Sequence, residues 1–301
     1  MERNSERGFT ILELLISTAA LLGLLTGVLG LFSRGQAIFN NERGTLDMVQ
    51  DTRTAFDRFT DEVRMAGAGL PGYRGVISGS QTSLVVRGDF SNVGSIVTST
   101  GTSSGGKFSV GSANGFAVGQ TVSLLSVGGA TAGHAALAKV TAVDSIATPN
   151  TITIDTADAW PLTAGAVVNG FGAGTMINVI ERRTYQGITD SSSADLGAIT
   201  RTVVYESTLT SGTAIQPTEV ICRNVLTPEG ATGLLFTYYD AADNVLAFDS
   251  SGLVDQTRVA KVRIDLQVRG NNRDLQSGQY RILKLSSMIQ VRGQYIPAVG
   301  F

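Results

Sequence analysis

The stretch Arg7-Gly8-Phe9-Thr10-Ile11-Leu12-Glu13-Leu14 opens an apolar run that continues to Phe32. Residues 9–32 carry one charge, Glu13, and no proline. That is enough helix to cross a hydrocarbon core of about 30 Å. The polar segment before it is eight residues long, ends in Gly8 and meets the apolar run abruptly. A cleavable secretory signal would have a shorter apolar region closed by a small-residue cleavage site. A carboxylate inside a spanning segment costs a few kcal/mol and marks a functional candidate whose partner needs naming. The plainer reading makes Glu13 part of an ordinary anchor, reaching the headgroups and favoured at the positive end of the helix dipole.

The junction Arg-Gly-Phe-Thr, with Glu13 at its spacing, resembles the class III signal of type IV prepilins. The resemblance implies that a prepilin peptidase cuts after Gly8 and methylates the new amine of Phe9, while the apolar segment stays on the mature chain. The terminal ammonium then lies one helical turn from Glu13. In a growing filament Glu13 would meet the terminal amine of a neighbouring subunit, which neutralises both charges. Gly23 and Gly27 form a small-xxx-small pair with Gly30 beyond. Such glycines let helices approach closely and weaken the helix by up to about 1 kcal/mol each. They also fit the higher glycine content of membrane helices.

Net charge is −2, and it stays −2 without residues 1–8, because Arg3 and Arg7 leave with Glu2 and Glu6. This balance does not point to nucleic acid, and so even a leader gives weak orientation by the positive-inside rule. Cys222 is the single cysteine, so no intramolecular disulfide forms. It reads as a small buried hydrophobe. Major pilins often close a C-terminal loop with a disulfide, and a minor subunit fits this chain better.

No proline occurs between Phe9 and Leu70, and one helix is expected over about residues 9–65, roughly 85 Å long. Leu46, Val49, Phe56, Phe59, Val63 and Ala66 give a narrow apolar stripe, from which Asp47, Gln50, Asp57, Asp61 and Arg64 fall away. Arg53 with Asp57 and Arg58 with Glu62 add i,i+4 pairs. Gly67, Gly69 and Pro71 stop the helix. Asp61, Glu62, Arg64, Ala66, Gly67 and Gly69 together resemble the helix end of PilW-type minor pilins and of J-type pseudopilins of type II secretion.

Beyond the turn, short strands are expected at 83–87, 121–125, 138–143, 151–155 and 176–182, with a Ser/Thr/Gly loop over about 91–106. This spacing suggests a small barrel or sandwich. Further strands are expected at 202–206, 220–226, 234–239 and 245–248. Residues 259–269 alternate, with Ala260, Val262, Ile264, Leu266 and Val268 facing one way, and Leu283, Leu285, Ile289 and Val291 repeat the pattern. Residues 233–292 again resemble the C-terminal part of a PilW-type minor pilin.

The expected fold is therefore α+β and pilin-like, a long N-terminal helix packed on an antiparallel sheet with a β-rich insertion. The expected segments are a leader at 1–8, a membrane or filament-core half at 9–32, a periplasmic helix half and turn at 33–72, the insertion at 73–185 and the C-terminal sheet at 186–301.

No enzyme is expected. His134 is the only histidine and falls in a glycine-rich loop, which rules out the usual zinc sets with Cys222. No Gly-x-Ser-x-Gly occurs in a strand-to-helix setting. Asp240, Asp243, Asn244 and Asp249 lack calcium-loop spacing and read as a polar hairpin turn. Lys261, Arg263, Arg269, Lys284 and Arg292 read as a solvated face, with DNA or an acidic partner subunit as the minority view.

No catalytic residue, metal or cofactor is expected. The partners implied are prepilin peptidase, other minor pilins, the major pilin and an inner-membrane assembly platform. The implied role is to start or cap a type IV pilus. The alternatives are a J-type pseudopilin and a tip adhesin or DNA-binding module built on residues 73–185.

Overall fold

The computed structural model describes residues 10–70, 75–99, 106–127, 132–157, 159–161, 171–190, 193–205, 218–226, 233–274 and 277–291. The expected helix is there as one element, α1 (Ile11–Arg64), of 54 residues. Thr10 starts it: its Oγ1 accepts the Glu13 N–H at 3.3 Å and its carbonyl accepts the Glu13 and Leu14 N–H groups. A Thr three residues before Glu is a natural N-terminal signal. The end also follows the sequence. Gly67 and Gly69 take φ of 87° and 73°, a region open to glycine at little cost, while Pro71 lies outside the described residues. The Gly67 N–H donates to the Arg87 carbonyl at 2.8 Å, so the turn is held on a strand.

After the turn come β1 (Val76–Gly79), β2 (Ser83–Gly88), β3 (Gly94–Ile96), β4 (Lys107–Val110), β5 (Thr121–Leu125), β6 (Ala135–Asp144), β7 (Asn150–Ile154) and β8 (Trp160–Pro161). They are followed by β9 (Met176–Asp190), β10 (Ser193–Tyr205), β11 (Glu219–Leu226), β12 (Leu234–Tyr239), β13 (Lys261–Arg273) and β14 (Tyr280–Gln290). The chain divides into two compact units. One is the chain to Gln50 with Gly270–Arg281; the other is Asp51–Arg269 with the residues from Ile282.

In the first unit, residues 11–40 of α1 are exposed throughout, including Leu21, Leu25, Leu29 and Phe32. The helix is long and apolar enough to cross a membrane. Its hydroxyls are satisfied within the helix, Ser17 donating to the Glu13 carbonyl at 2.7 Å and Thr26 to that of Leu22 at 2.7 Å. Such back-bonding leaves no unpaired hydroxyl in an apolar medium.

In the second unit, the last turns of α1 bury Thr52, Ala55, Phe56, Phe59, Thr60, Glu62 and Val63. The Phe59 ring packs 4.2 Å from that of Tyr185 and 5.7 Å from that of Phe236. The helix thus covers the middle of the sheet, with rings from β9 and β12. The sheet runs β12-β13-β11-β10-β9, with β2 also on β9 and β14 on β13. On β13 the expected alternation holds: Val262, Ile264, Leu266 and Val268 are at most 1% exposed.

The middle of the chain closes into a small barrel. β9 pairs with β5, β5 with β6, β6 with β7 and β7 with β4. β3 pairs with the other edge of β9, and the Val97–Val110 bridge joins it to β4. Its core includes Phe108, Val122, Leu124, Val140, Ile152, Phe171, Ile177 and Val179. Closure removes the free edges that an open sheet would leave. β9 serves both bodies: residues 176–180 pair in the barrel with β5, and 181–190 pair with β10. The 185/186 segment boundary therefore falls inside one strand. The barrel wall meets the helix-end turn, where Leu70 packs with Leu137 and Ile180 and Ser123 Oγ donates to the Gly69 carbonyl at 2.8 Å.

Several expectations are corrected. The 91–106 loop contains β3, and Val97 is 2% exposed; this short piece is extended because it closes the barrel, not because it alternates. Leu46 leaves the buried stripe at 68% exposure, since before Thr52 the strand that meets the helix touches Asn41, Gly44 and Met48 instead. Residues 245–248 form isolated bridges, Tyr239 to Val245 and Phe248 to Val254, instead of a strand. Leu283 and Leu285 are half-buried rather than core.

Candidate functional site

The residues singled out at the N-terminus are Gly8, Phe9 and Glu13. Gly8 and Phe9 lie outside the described residues. Glu13 sits in the first turn of α1, exposed, with Leu12 and Leu14 beside it also exposed at 67% and 61%. Among the described residues no ion pair to Glu13 is seen. Gly23, Gly27 and Gly30 stand on open faces, with nothing within 4 Å of where a Cβ would lie. Among the described residues, neither the carboxylate nor the glycines meet another element.

A second carboxylate on the same helix behaves differently, and its partners beyond Arg58 were not foreseen from the sequence. Glu62 was expected to pair with Arg58 on the helix surface. That pair exists at 3.4 Å, but the Glu62 side chain is only 10% exposed and its close partners come from the sheet. Arg183 Nη1 donates to Glu62 Oε1 at 2.8 Å and Arg201 Nε to Oε2 at 2.9 Å. The Tyr185 hydroxyl also donates to Oε2. Period-two geometry puts Glu181, Arg183 and Tyr185 on one face of β9, and the β9–β10 register sets Arg201 opposite Tyr185.

The arginines have further partners. Arg183 donates to Glu181 Oε2 at 2.7 Å and lies 4.2 Å over the Phe90 ring. Arg201 and Arg58 both reach Glu219, at 3.4 and 3.1 Å. Three guanidinium groups, of Arg58, Arg183 and Arg201, thus face three carboxylates, of Glu62, Glu181 and Glu219. Pairing of this kind makes burial of the charges tolerable. The arrangement latches the helix to β9 and β10. One signal for it was readable: Glu62 lies three residues after Phe59 and four before Ala66, on the buried stripe rather than beside it.

The remaining candidates are occupied structurally. Among the described residues no group of three or more His, Cys, Asp or Glu is placed to hold a metal ion. Asp240 Oδ1 accepts from the Ala242 and Asn244 N–H groups, and Asp249 Oδ1 from those of Ser251 and Leu253. These are turn-closing carboxylates. The Asn244 side-chain amide, then its backbone N–H, hold the Asp240 carboxyl below its usual range. Lys261 pairs with Asp243, and Arg263 with Asp265 at 2.9 Å. Two cations of the basic face therefore carry acids, while Arg292 lies outside the described residues. His134 follows a turn and immediately precedes β6, its carbonyl accepting the Ser126 N–H. Cys222 is buried, and burial followed by the Asp51 charge pushes its thiol up to about 11, which leaves little thiolate at neutral pH.

Comparison of the chain with family models, with curated proteins and with solved structures gives no match.

Proposed function

We propose that this chain is a PilW-like minor pilin. It is cut after Gly8 by a prepilin peptidase, methylated on Phe9 and held in a bacterial inner membrane by residues 9–32, with its C-terminal part in the periplasm. It joins other minor pilins and the major pilin on an inner-membrane platform, and so starts or caps a type IV pilus. It catalyses nothing.

The observation that carries this reading is the bare first part of α1. Fifteen large apolar side chains from Ile11 to Phe39 stand exposed among the described residues, and one carboxylate stands among them. Lipid covers such a surface before assembly, and neighbouring stems cover it after. The Glu13 charge is then worth keeping only if a cation arrives with the neighbour. The Arg7-Gly8-Phe9 junction says which cation that is, the freed amine of Phe9.

N-terminal sequencing of the mature protein tests the reading directly. The chain should begin at Phe9, and a Gly8→Leu variant should remain full length in the membrane. Normal processing of that variant removes the signal. A J-type pseudopilin shares all of these features, and co-purification with pilus or with secretion-machine subunits separates the two.

The self-contained barrel core supports a second reading, a display module for adhesion or DNA at a filament tip. Retention of duplex DNA or of surface glycans by the full-length protein would favour it.

A further inference from the structure

The unit that contains the first part of α1 also contains Gly270–Arg281, the far end of the β13–β14 hairpin. A Cβ on Gly270 would stand 3.6 Å from Met48 Sδ, and one on Gly44 would meet Asn272 Nδ2 at 3.3 Å. The Asn41 amide donates to the Arg273 carbonyl at 3.3 Å. As β13 advances from 270 to 273, its contacts on the helix retreat from 48 to 41. Seven helix residues span about 10.5 Å, and three strand residues about 10 Å. The strand therefore runs along the helix axis, towards the apolar run.

Asn41 lies nine residues past Phe32, about 13 Å along the axis. The headgroup layer outside a ~30 Å core is roughly 5–8 Å deep, and arginine extends its charged end well beyond its backbone. The groups at this level suit that layer. Arg34 and Arg273 are exposed, and the Arg273 guanidinium lies 5.1 Å from the Tyr280 ring centroid. Ile38 and Phe39 remain 45% and 64% exposed beyond the run. Arg281 is held by Asp274 at 3.1 Å and so adds little free charge. Basic side chains interleaved with aromatic rings are the composition of a membrane interface.

We propose that Arg34 and Arg273, with the rings of Phe39 and Tyr280, dock on the phosphate headgroups of anionic phospholipid and hold the hairpin on the membrane surface. This rests on the spanning role given above to residues 9–32. The test places the full-length protein in nanodiscs of phosphatidylcholine, with or without phosphatidylglycerol, and follows amide exchange at 270–274 and 277–281. Anionic lipid should slow exchange there, by about fivefold for each basic residue engaged. An Arg34→Gln/Arg273→Gln variant should lose that dependence, and Arg273→Lys should keep it. Equal exchange in both lipids, with residues 11–32 protected, overturns the proposal. So does protection that follows the number of protein copies per disc rather than lipid charge. Unprotected amides at 11–32 in both lipids sink the spanning reading, and this contact falls with it.

Discussion

Glu13 and Glu62 stand on one helix, each among apolar neighbours, and the chain treats them in opposite ways. Around Glu62 the sheet supplies Arg183, Arg201 and Tyr185, and the carboxylate is buried within a balanced set of charges. Around Glu13 the described chain supplies a helix cap and no cation. The apolar side chains follow the same division, since Leu12 and Leu14 are bare while Phe59 and Val63 are at most 1% exposed. Under the assembly reading proposed above, the cation that the described residues do not bring to Glu13 comes from a neighbouring subunit. Either end of the helix can be altered on its own.

The largest effect is expected at the open end. Glu13→Val should be processed and inserted normally yet be absent from sheared filaments, with thermal unfolding of the sheet unchanged; normal incorporation would make Glu13 a bystander in a plain anchor. Glu62→Ala should do the reverse. It leaves Arg183 with Glu181 and Arg201 with Glu219 as their remaining carboxylates, uncovers an excess of buried positive charge and should lower stability by about 3–5 kcal/mol in denaturant unfolding, whereas Arg58→Ala, at a half-exposed position, should cost under about 1 kcal/mol. Equal losses would mean that the latch is an ordinary surface pair.

Packing gives the next contrast. Phe59→Ala should cost about 3–5 kcal/mol and Leu46→Ala less than about 0.5 kcal/mol, and a large loss at Leu46 would restore it to the packed stripe. The smallest effect concerns pH. Asp240 is held below its usual range by Asn244, and Asp144 by the Ala147 and Ile146 N–H groups. A depressed carboxyl stabilises the fold above its unfolded pKa, near 3.9, and that contribution is lost as pH falls through the lower folded value. Asp240→Asn should therefore flatten slightly the decline of stability below about pH 4. An unchanged acid limb would show that the turn does not couple to folding.

Much of this was legible from local pattern. The helix end was readable because Gly67 and Gly69 supply the backbone conformation that a stop requires, and β13 because Val262, Ile264, Leu266 and Val268 mark one buried face. β3 was hidden, since three residues carry no periodicity and its extended state comes from partners on β9 and β4. Residues 245–248 misled for the opposite reason, being apolar enough for a strand but set in turns that Asp240 and Asp249 close. Glu62 was read only in part, because i,i+4 spacing with Arg58 is visible in one dimension, while Arg183 and Arg201 lie more than a hundred residues away in the chain.

The amino-acid order alone determined the long helix, its apolar first half with one carboxylate, the point where it ends and the alternating strands behind it. Each of these depends on neighbours within a few residues, through helical or strand periodicity and backbone freedom at glycine. Only the tertiary structure decided that the insertion closes into a barrel, that β9 serves barrel and sheet together, and that Glu62 is a buried latch. Those outcomes are set by pairing between distant segments, where register and burial settle which charges meet and no local pattern records the choice.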